Sequence, residues 1–327
     1  MPERRGRRLR RGLLVALLVV PCLAGSKVPV VRAFQPEVLE SVVSVLPLWP
    51  NHARGGQPLL PPGAAPEGTA VAILPGGYLV TALHVVDKAI DIELRLADGR
   101  RLPAALVGVD GATDLALLKA DIELPLLPDA PEPALGAPAC IVGNQFGLDL
   151  SVTCGVVSAL RRSGTGFNPI EDFVQTDATA NPGASGGALV DEEGRLLGVV
   201  SAIFTKESDA DIGVNFAASI ALVRRVAEDL AEHGRVIWAD SGLRLTELAP
   251  GQRTQLSGAA VAWLKPKGAA ERAGLRVGDI LQRVGQRRVR KASDAAGAFA
   301  LLRPGERVAL AVWRDGGVRE IDLELPR

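Results

Sequence analysis

Asn181-Pro182-Gly183-Ala184-Ser185-Gly186-Gly187, directly before the apolar run Ala188-Leu189-Val190, is the stretch that decides the fold of this 327-residue chain. A nucleophilic serine needs its hydroxyl lifted clear of the backbone and neighbouring amides free to stabilise an oxyanion. Glycines on both sides of Ser185 permit a tight turn with outward-facing N–H groups, because no Cβ restricts φ or blocks approach. Taken alone, the stretch reads equally well as a glycine-rich hairpin turn. Two upstream segments tip the balance: Thr81-Ala82-Leu83-His84-Val85-Val86 and Asp110-Gly111-Ala112-Thr113-Asp114-Leu115-Ala116-Leu117-Leu118-Lys119. They put a histidine, an aspartate and the serine in that order along the chain, the set needed for a general base, its orienting acid and a nucleophile.

Outward from these segments the chain reads as many short strands. Val71–Leu74 and Tyr78–Ala82 bracket Pro75-Gly76-Gly77, and Ile90–Leu96 and Arg101–Val107 bracket Ala97-Asp98-Gly99-Arg100. Leu115–Lys119, Ala139–Gly143, Ser151–Leu160, Phe173–Thr176, Gly187–Val190, Leu196–Ser201 and Ile212–Phe216 continue the pattern. Apolar or alternating runs with turn signals at short spacing predict an all-β barrel or sandwich. One helix is expected over Ile220–His233, with Ser219 as N-cap, Gly234 just past its end, and Leu222, Val223, Val226 and Leu230 on one side.

The run Gln175-Thr176-Asp177-Ala178-Thr179-Ala180-Asn181-Pro182-Gly183-Ala184-Ser185-Gly186-Gly187-Ala188-Leu189 resembles the nucleophile segment of the HtrA (DegP-like) serine proteases. Gly143-Asn144-Gln145-Phe146-Gly147-Leu148 and Ser151–Ala159 are similar to the two segments that precede it in that family, and the resemblance runs in register from about Glu67 to the C-terminus. The chain departs from the family pattern at Ala184, where Asn is usual, at Ala82 or Leu83, where an Asn-type residue is usual, and at Asn215, where Gly is usual.

The resemblance implies a mainly β fold: two six-stranded chymotrypsin-like barrels with the site between them, then a small α+β PDZ domain. It implies catalysis by His84, Asp114 and Ser185, with the amides of Gly183 and Ser185 as the oxyanion hole. His84 would take the serine proton and return it to the leaving amine, and Asp114 would hold the imidazole tautomer. Asp110 is the rival acid, but the family places the acid directly before Leu-Ala-Leu-Leu-Lys. The pocket walls would come from Thr179, Ala180 and the strand carrying Val214, Asn215 and Phe216. No acidic residue stands at its base, so small or medium aliphatic residues are the expected preference, and Asn215 is expected to narrow or polarise the entrance.

After Gly234 the texture changes. Gly258–Leu264 reads as a strand, Gly268–Leu275 as a short helix ended by glycine, Arg276–Leu281 as a turn into a strand, Ser293–Leu302 as a helix, and Val308–Arg314 with Arg319–Leu325 as a closing hairpin. Gly268-Ala269-Ala270-Glu271-Arg272-Ala273-Gly274-Leu275 followed by Gly278-Asp279-Ile280 resembles the PDZ signature. PDZ domains capture peptide C-termini by strand addition and a backbone nest for the carboxylate. That nest is expected near Ser241-Gly242-Leu243, with Gly242 and Leu243 as its contacts.

The N-terminus is expected to lie outside the fold. Arg4, Arg5, Arg7, Arg8, Arg10 and Arg11 precede an apolar run from Leu13 to about Ala24, a length suited to a signal-peptide core, with an uncleaved anchor as the alternative. Either reading puts the protein outside the cytoplasm, in the periplasm or secreted. The expected organisation is a leader or anchor at 1–26, an N-terminal segment with a proline-rich loop at 27–66, a trypsin-like domain at 67–236 and a PDZ domain at 239–327. Basic and acidic residues balance at 37 each, which gives no ground for a nucleic-acid partner.

Cys22 falls in the leader; Cys140 and Cys154 lie on two runs that read as paired strands, where a disulfide and two separate buried thiols are both open. No metal-ligand spacing occurs and no cofactor is expected. His52 lies in the proline-rich stretch, and His233 suits a helix C-terminus. The expected partners are unfolded or exposed polypeptides, with peptide C-termini at the PDZ domain; the resemblance further implies a homotrimer. Two functions follow: an endopeptidase acting on misfolded or regulatory exported proteins, or a weakly active chaperone-like or peptide-binding module.

Overall fold

The computed structural model of the protein describes residues 34–49, 67–205 and 211–327. The expected leader, His52 and the stretch 50–66 fall outside these residues.

Six strands close the first barrel in the order β1-β2-β3-β6-β5-β4: β1 (Val42–Leu48), β2 (Gly68–Leu74), β3 (Tyr78–Ala82), β4 (Asp91–Arg95), β5 (Arg101–Asp110) and β6 (Leu115–Ala120). The barrel therefore begins well before Glu67, the expected start of the domain. Val42-Val43-Ser44-Val45-Leu46 is almost wholly buried and pairs with β2 on one side and β4 on the other. Its apolar run needs both neighbours to satisfy its backbone, so Leu46–Leu48 belong to a strand and not to the loop expected there. Between β3 and β4 lies the one-turn helix α1 (Leu83–Val86).

The second barrel closes in the order β10-β11-β12-β9-β8-β7, from β7 (Pro138–Gly143), β8 (Ser151–Arg162), β9 (Phe173–Thr176), β10 (Ala188–Val190), β11 (Leu196–Thr205) and β12 (Asp211–Ser219). Each barrel has its own core: Val43, Val45, Leu79, Leu94 and Leu118 fill the first, and Ile141, Val157, Leu189, Leu197 and Ala217 the second. A further core joins them, formed by Val71, Ile73 and Leu117 of one barrel, Val142, Phe173 and Val199 of the other, and the helix α2 (Ile220–His233). Its Leu222, Val223, Val226 and Leu230 are buried, each worth about 1.5–3 kcal/mol of burial. Ser219 Oγ accepts the Leu222 N–H at 3.3 Å, and Gly234 ends the helix at φ 68°.

The C-terminal domain is a sheet in the order β13-β14-β15-β17-β18, from β13 (Leu243–Glu247), β14 (Ala259–Leu264), β15 (Ile280–Val284), β17 (Arg307–Arg314) and β18 (Gly317–Glu324), with the short β16 (Arg287–Arg288) beside β15. Three helices accompany it: α3 (Pro250–Arg253), α4 (Ala269–Arg272) and α5 (Ala292–Ala300). Val261, Ala270, Leu281, Ala298, Leu310 and Leu323 are among the residues of a core separate from the barrels. β13, absent from the strands expected above, is one edge of the sheet.

Polar contacts seat this domain on the barrels. Arg287 forms a double hydrogen bond with the buried Asp172, Asp294 accepts from Ser163 at 2.7 Å, and Arg303 reaches Asp229 of α2 at 2.6 Å. Asp172 is 2% exposed, so its charge needs this partner.

Candidate active site

His84 sits in α1, which begins where β3 leaves the first barrel; Asp114 lies in the turn between β5 and β6. The pairing of β3 with β6 brings Ala82 opposite Leu115, so the two ends meet. His84 Nδ1 lies 2.7 Å from Asp114 Oδ2, and Asp114 Oδ1 accepts the His84 backbone N–H at 3.0 Å. The carbonyl of Asp114 also accepts the Leu83 N–H at 2.8 Å. Asp114 adopts φ 58°, a left-handed conformation unusual for a residue with a side chain, and is held there by these bonds. Asp110, the rival acid, is turned away: its carboxylate accepts the Thr113 N–H and hydroxyl at 2.9 and 2.7 Å and the Trp238 indole N–H at 3.3 Å.

Ser185 lies in the turn before β10, half-buried, and its carbonyl accepts the Thr69 N–H of the first barrel at 3.0 Å. The two candidate elements thus face each other across the seam between the barrels. Among the described residues no hydrogen bond joins Ser185 Oγ to His84; such contacts often tighten only with substrate in place.

The peptide planes around Ser185 are ordered in a way the sequence could not show. The carbonyl of Pro182 accepts the Phe146 N–H at 2.6 Å, and that of Ala184 accepts the Gly187 N–H at 2.8 Å. Because a trans peptide points its C=O and N–H in opposite directions, the Gly183 and Ser185 N–H groups point the other way. Among the described residues neither has an acceptor, whereas the Ala184 and Gly186 amides are bonded to Asn181 and Val200. Gly183 has φ 94°, and a Cβ there would lie 2.1 Å from the Asn144 carbonyl oxygen, so only glycine fits. The result is two amides without an acceptor among the described residues, one of them that of Ser185 itself.

The proposed pocket residues divide. Thr179 is exposed, Ala180 buried and Val214 half-buried. Phe216 is buried against Phe167 and Phe173, with ring centroids 5.7 and 5.6 Å away. Asn215 does not stand at an entrance, contrary to the expectation: it is 0% exposed and its Nδ2 donates to the Ala178 carbonyl at 2.8 Å. Alternation along β12 turns it inward, where it braces the segment before Thr179.

Cys140 and Cys154 are directly opposite each other on β7 and β8 and form a disulfide, which decides between the two alternatives left open. In the C-terminal domain, the Gly242 N–H is taken by Asp240 Oδ1 at 2.9 Å, and Asp240 Oδ2 accepts from Lys265 at 2.8 Å. Half-buried Leu243 begins the edge strand β13. Sequence reading missed Asp240 and Phe146; the Asp-x-Gly spacing at 240–242 is a turn signal that could have found the first. Among the described residues no group of three or more His, Cys, Asp or Glu side chains could hold a metal ion, and no helix is long and apolar enough to cross a membrane.

Residues 68–199 match the family described as "Trypsin-like peptidase domain" and residues 261–314 the PDZ domain family. The serine endoprotease DegS of Escherichia coli K12 is 35% identical over 259 residues, covering 76% of this chain and 73% of DegS. The periplasmic serine endoprotease DegP of the same strain is 34% identical over 258 residues, covering 76% of this chain and 54% of DegP. A probable periplasmic DegP-like serine endoprotease of Chlamydia trachomatis is 37% identical over 267 residues, 79% of this chain and 54% of its own. The chain thus spans about half the length of these DegP-type relatives, 54% in both cases. Among solved structures, the HtrA-type protease AlgW with a tripeptide superposes with a TM-score of 0.67 at 33% identity, over 88% of this chain and 94% of that one.

Proposed function

Because the chain belongs to the HtrA family of serine endoproteases, with a trypsin-like peptidase domain followed by a PDZ domain, we propose that it hydrolyses peptide bonds of misfolded or regulatory polypeptides outside the cytoplasm. The observation that carries this reading is that the Gly183 and Ser185 amides have no acceptor among the described residues, across the seam from a histidine bonded to a carboxylate. In the proposed reaction, His84 removes the Ser185 proton as Oγ attacks the scissile carbonyl. Charge developing on the carbonyl oxygen is met by the Gly183 and Ser185 amides, and His84 then gives the proton to the departing amine. Asp114 holds the ring so that Nε2 faces the serine and steadies the imidazolium. Thr179 and Val214 would contact the side chain before the cut, with Ala180 buried behind them; the lack of an acid there favours aliphatic residues.

The C-terminal domain would bind peptide C-termini by strand addition at β13, with Gly242 and Leu243 receiving the carboxylate once Asp240 yields the Gly242 amide. Assembly as a homotrimer is part of the same proposal.

Incubation of the purified protein with unfolded casein tests the reading: cleavage is expected, and Ser185→Ala should reduce it by about 10⁶-fold while the fold is retained. Near wild-type cleavage by a pure Ser185→Ala sample would refute it. Titration with hydrophobic-ended peptides tests the second half, since binding should be lost on amidation of the C-terminus.

A further inference from the structure

We propose that Thr69, in the first barrel, is a positioning residue for the oxyanion site in the second; the proposal rests on the serine-protease reading above. Thr69 is the second residue of β2 and is 0% exposed. Its Oγ1 donates to the Gly183 carbonyl at 2.7 Å and accepts the Asn144 N–H at 2.9 Å. Its backbone N–H donates to the Ser185 carbonyl at 3.0 Å, and its own carbonyl accepts from Thr81 Oγ1 at 2.7 Å. One buried residue therefore grips the carbonyls on both sides of Ala184 and is itself tied to β3.

This grip acts where the loop is most free to turn. Gly183, at φ 94°, lacks the Cβ that would limit rotation of either neighbouring peptide. The peptide before it is fixed by Phe146 N–H on the Pro182 carbonyl. The peptide after it is fixed by the Thr69 hydroxyl on the Gly183 carbonyl and by the Ala184 N–H on Asn181. Trapped on both sides, Gly183 holds its N–H toward the site before substrate arrives. The Ser185 N–H shares a peptide with the Ala184 carbonyl, which the Gly187 N–H holds, and Thr69 fixes the peptides on both sides of it. Donors pre-aligned in this way need no reorganisation when charge develops.

The line of buried contacts continues beyond Thr69. Asn144, 0% exposed, donates through Nδ2 to Glu67 Oε2 at 2.6 Å, and Arg95 reaches the same oxygen at 3.1 Å. The hydroxyl therefore sits in a backed network and not at a loose surface.

The test is Thr69→Val, which keeps the shape, the strand preference and the backbone N–H but removes the hydroxyl. With casein-derived peptide substrate, kcat should fall about tenfold or more, below the 10²–10³ of losing an oxyanion donor outright, while KM stays within about twofold. Thr69→Ser, which retains the hydroxyl, should recover most of kcat. A peptide boronic acid, whose tetrahedral adduct on Ser185 needs the same donors, should lose affinity to Thr69→Val by the same factor as kcat/KM. Should Thr69→Val fail to fold, Thr69→Ala replaces it, with circular dichroism showing the folded fraction. Wild-type kcat in either folded variant, or a loss that Thr69→Ser shares in full, overturns the proposal. Absence of cleavage by the wild-type protein overturns the protease reading itself, and this proposal with it.

Discussion

Asp114 grips His84 at two atoms: its Oδ2 meets Nδ1 at 2.7 Å, and its Oδ1 takes the backbone N–H of the same residue at 3.0 Å. The double hold fixes both the ring and the turn of chain that carries it. Asp114→Asn offers an amide N–H where a carboxylate oxygen stood and so favours the wrong imidazole tautomer. We expect kcat to fall by about 10³- to 10⁴-fold with the fold intact. Casein cleavage within tenfold of wild type would show that Asp114 does not orient His84.

Acid should loosen the C-terminal domain from the barrels before it unfolds either. Burial pushes the Asp294 carboxyl up, but hydrogen bonds from Ser163 and Arg290 outweigh it and hold the group below its ordinary 3.8. Asp229 behaves alike: burial raises it, while Arg225, Ile237 and Arg303 together lower it below 3.8. A carboxyl depressed in the folded state contributes stability that is complete above its unfolded pKa and is lost as pH falls through the folded value. Both groups face partners in the other domain, Ser163 and Arg303. The radius of gyration from small-angle scattering should thus stay constant down to pH 5 and rise as pH falls below 3.8. A rise already complete at pH 5 would contradict this.

Gly297 marks a tight approach of α5 to the barrels. A Cβ there would lie 2.5 Å from the Glu171 carbonyl oxygen, a backbone atom that cannot step aside cheaply. Gly297→Val should therefore push α5 away and expose the linker at 234–242 to hydrogen exchange, leaving the two barrels protected. Unchanged exchange in the linker would mean that α5 does not rest on Glu171.

Reduction of the Cys140–Cys154 disulfide should weaken the second barrel. The bond joins residues 14 apart in sequence, a loop whose closure contributes about 3 kcal/mol by constraining the unfolded chain. Urea denaturation with and without dithiothreitol, against a Cys140→Ala/Cys154→Ala variant as the reduced reference, measures it. An identical midpoint in all three samples would refute the contribution.

Local patterns announced most strands, because a buried barrel strand such as Leu115–Ala120 is apolar on both faces and is bounded by turns. Helix α2 was legible from both ends, since Ser219 and Gly234 satisfy the groups that a helix leaves open. β1 was harder to read. Val42–Leu48 carries Pro47, which demotes a strand on local grounds, yet it closes the first barrel between β2 and β4. Strand β13 alternates half-buried Leu243 and Leu245 with exposed Arg244 and Thr246, a period-2 signal too short to stand out without its partner β14.

By itself the sequence determined the residue types: a glycine-flanked serine, a histidine after an apolar strand and an aspartate before Leu115, each in a local context that chemistry recognises. Which of the two carboxylates meets His84 was decided by folding, because it depends on the β3–β6 register and on Thr113 and Trp238 occupying Asp110. Folding also turned Asn215 inward onto the Ala178 carbonyl, through the alternation of a strand closed into a barrel. Thr69 lies 114 residues from Gly183 in sequence, and nothing local to either marks their bond. A hydrogen bond needs two groups within about 3 Å in a fixed direction, and for distant residues only the packing of one barrel on the other supplies that.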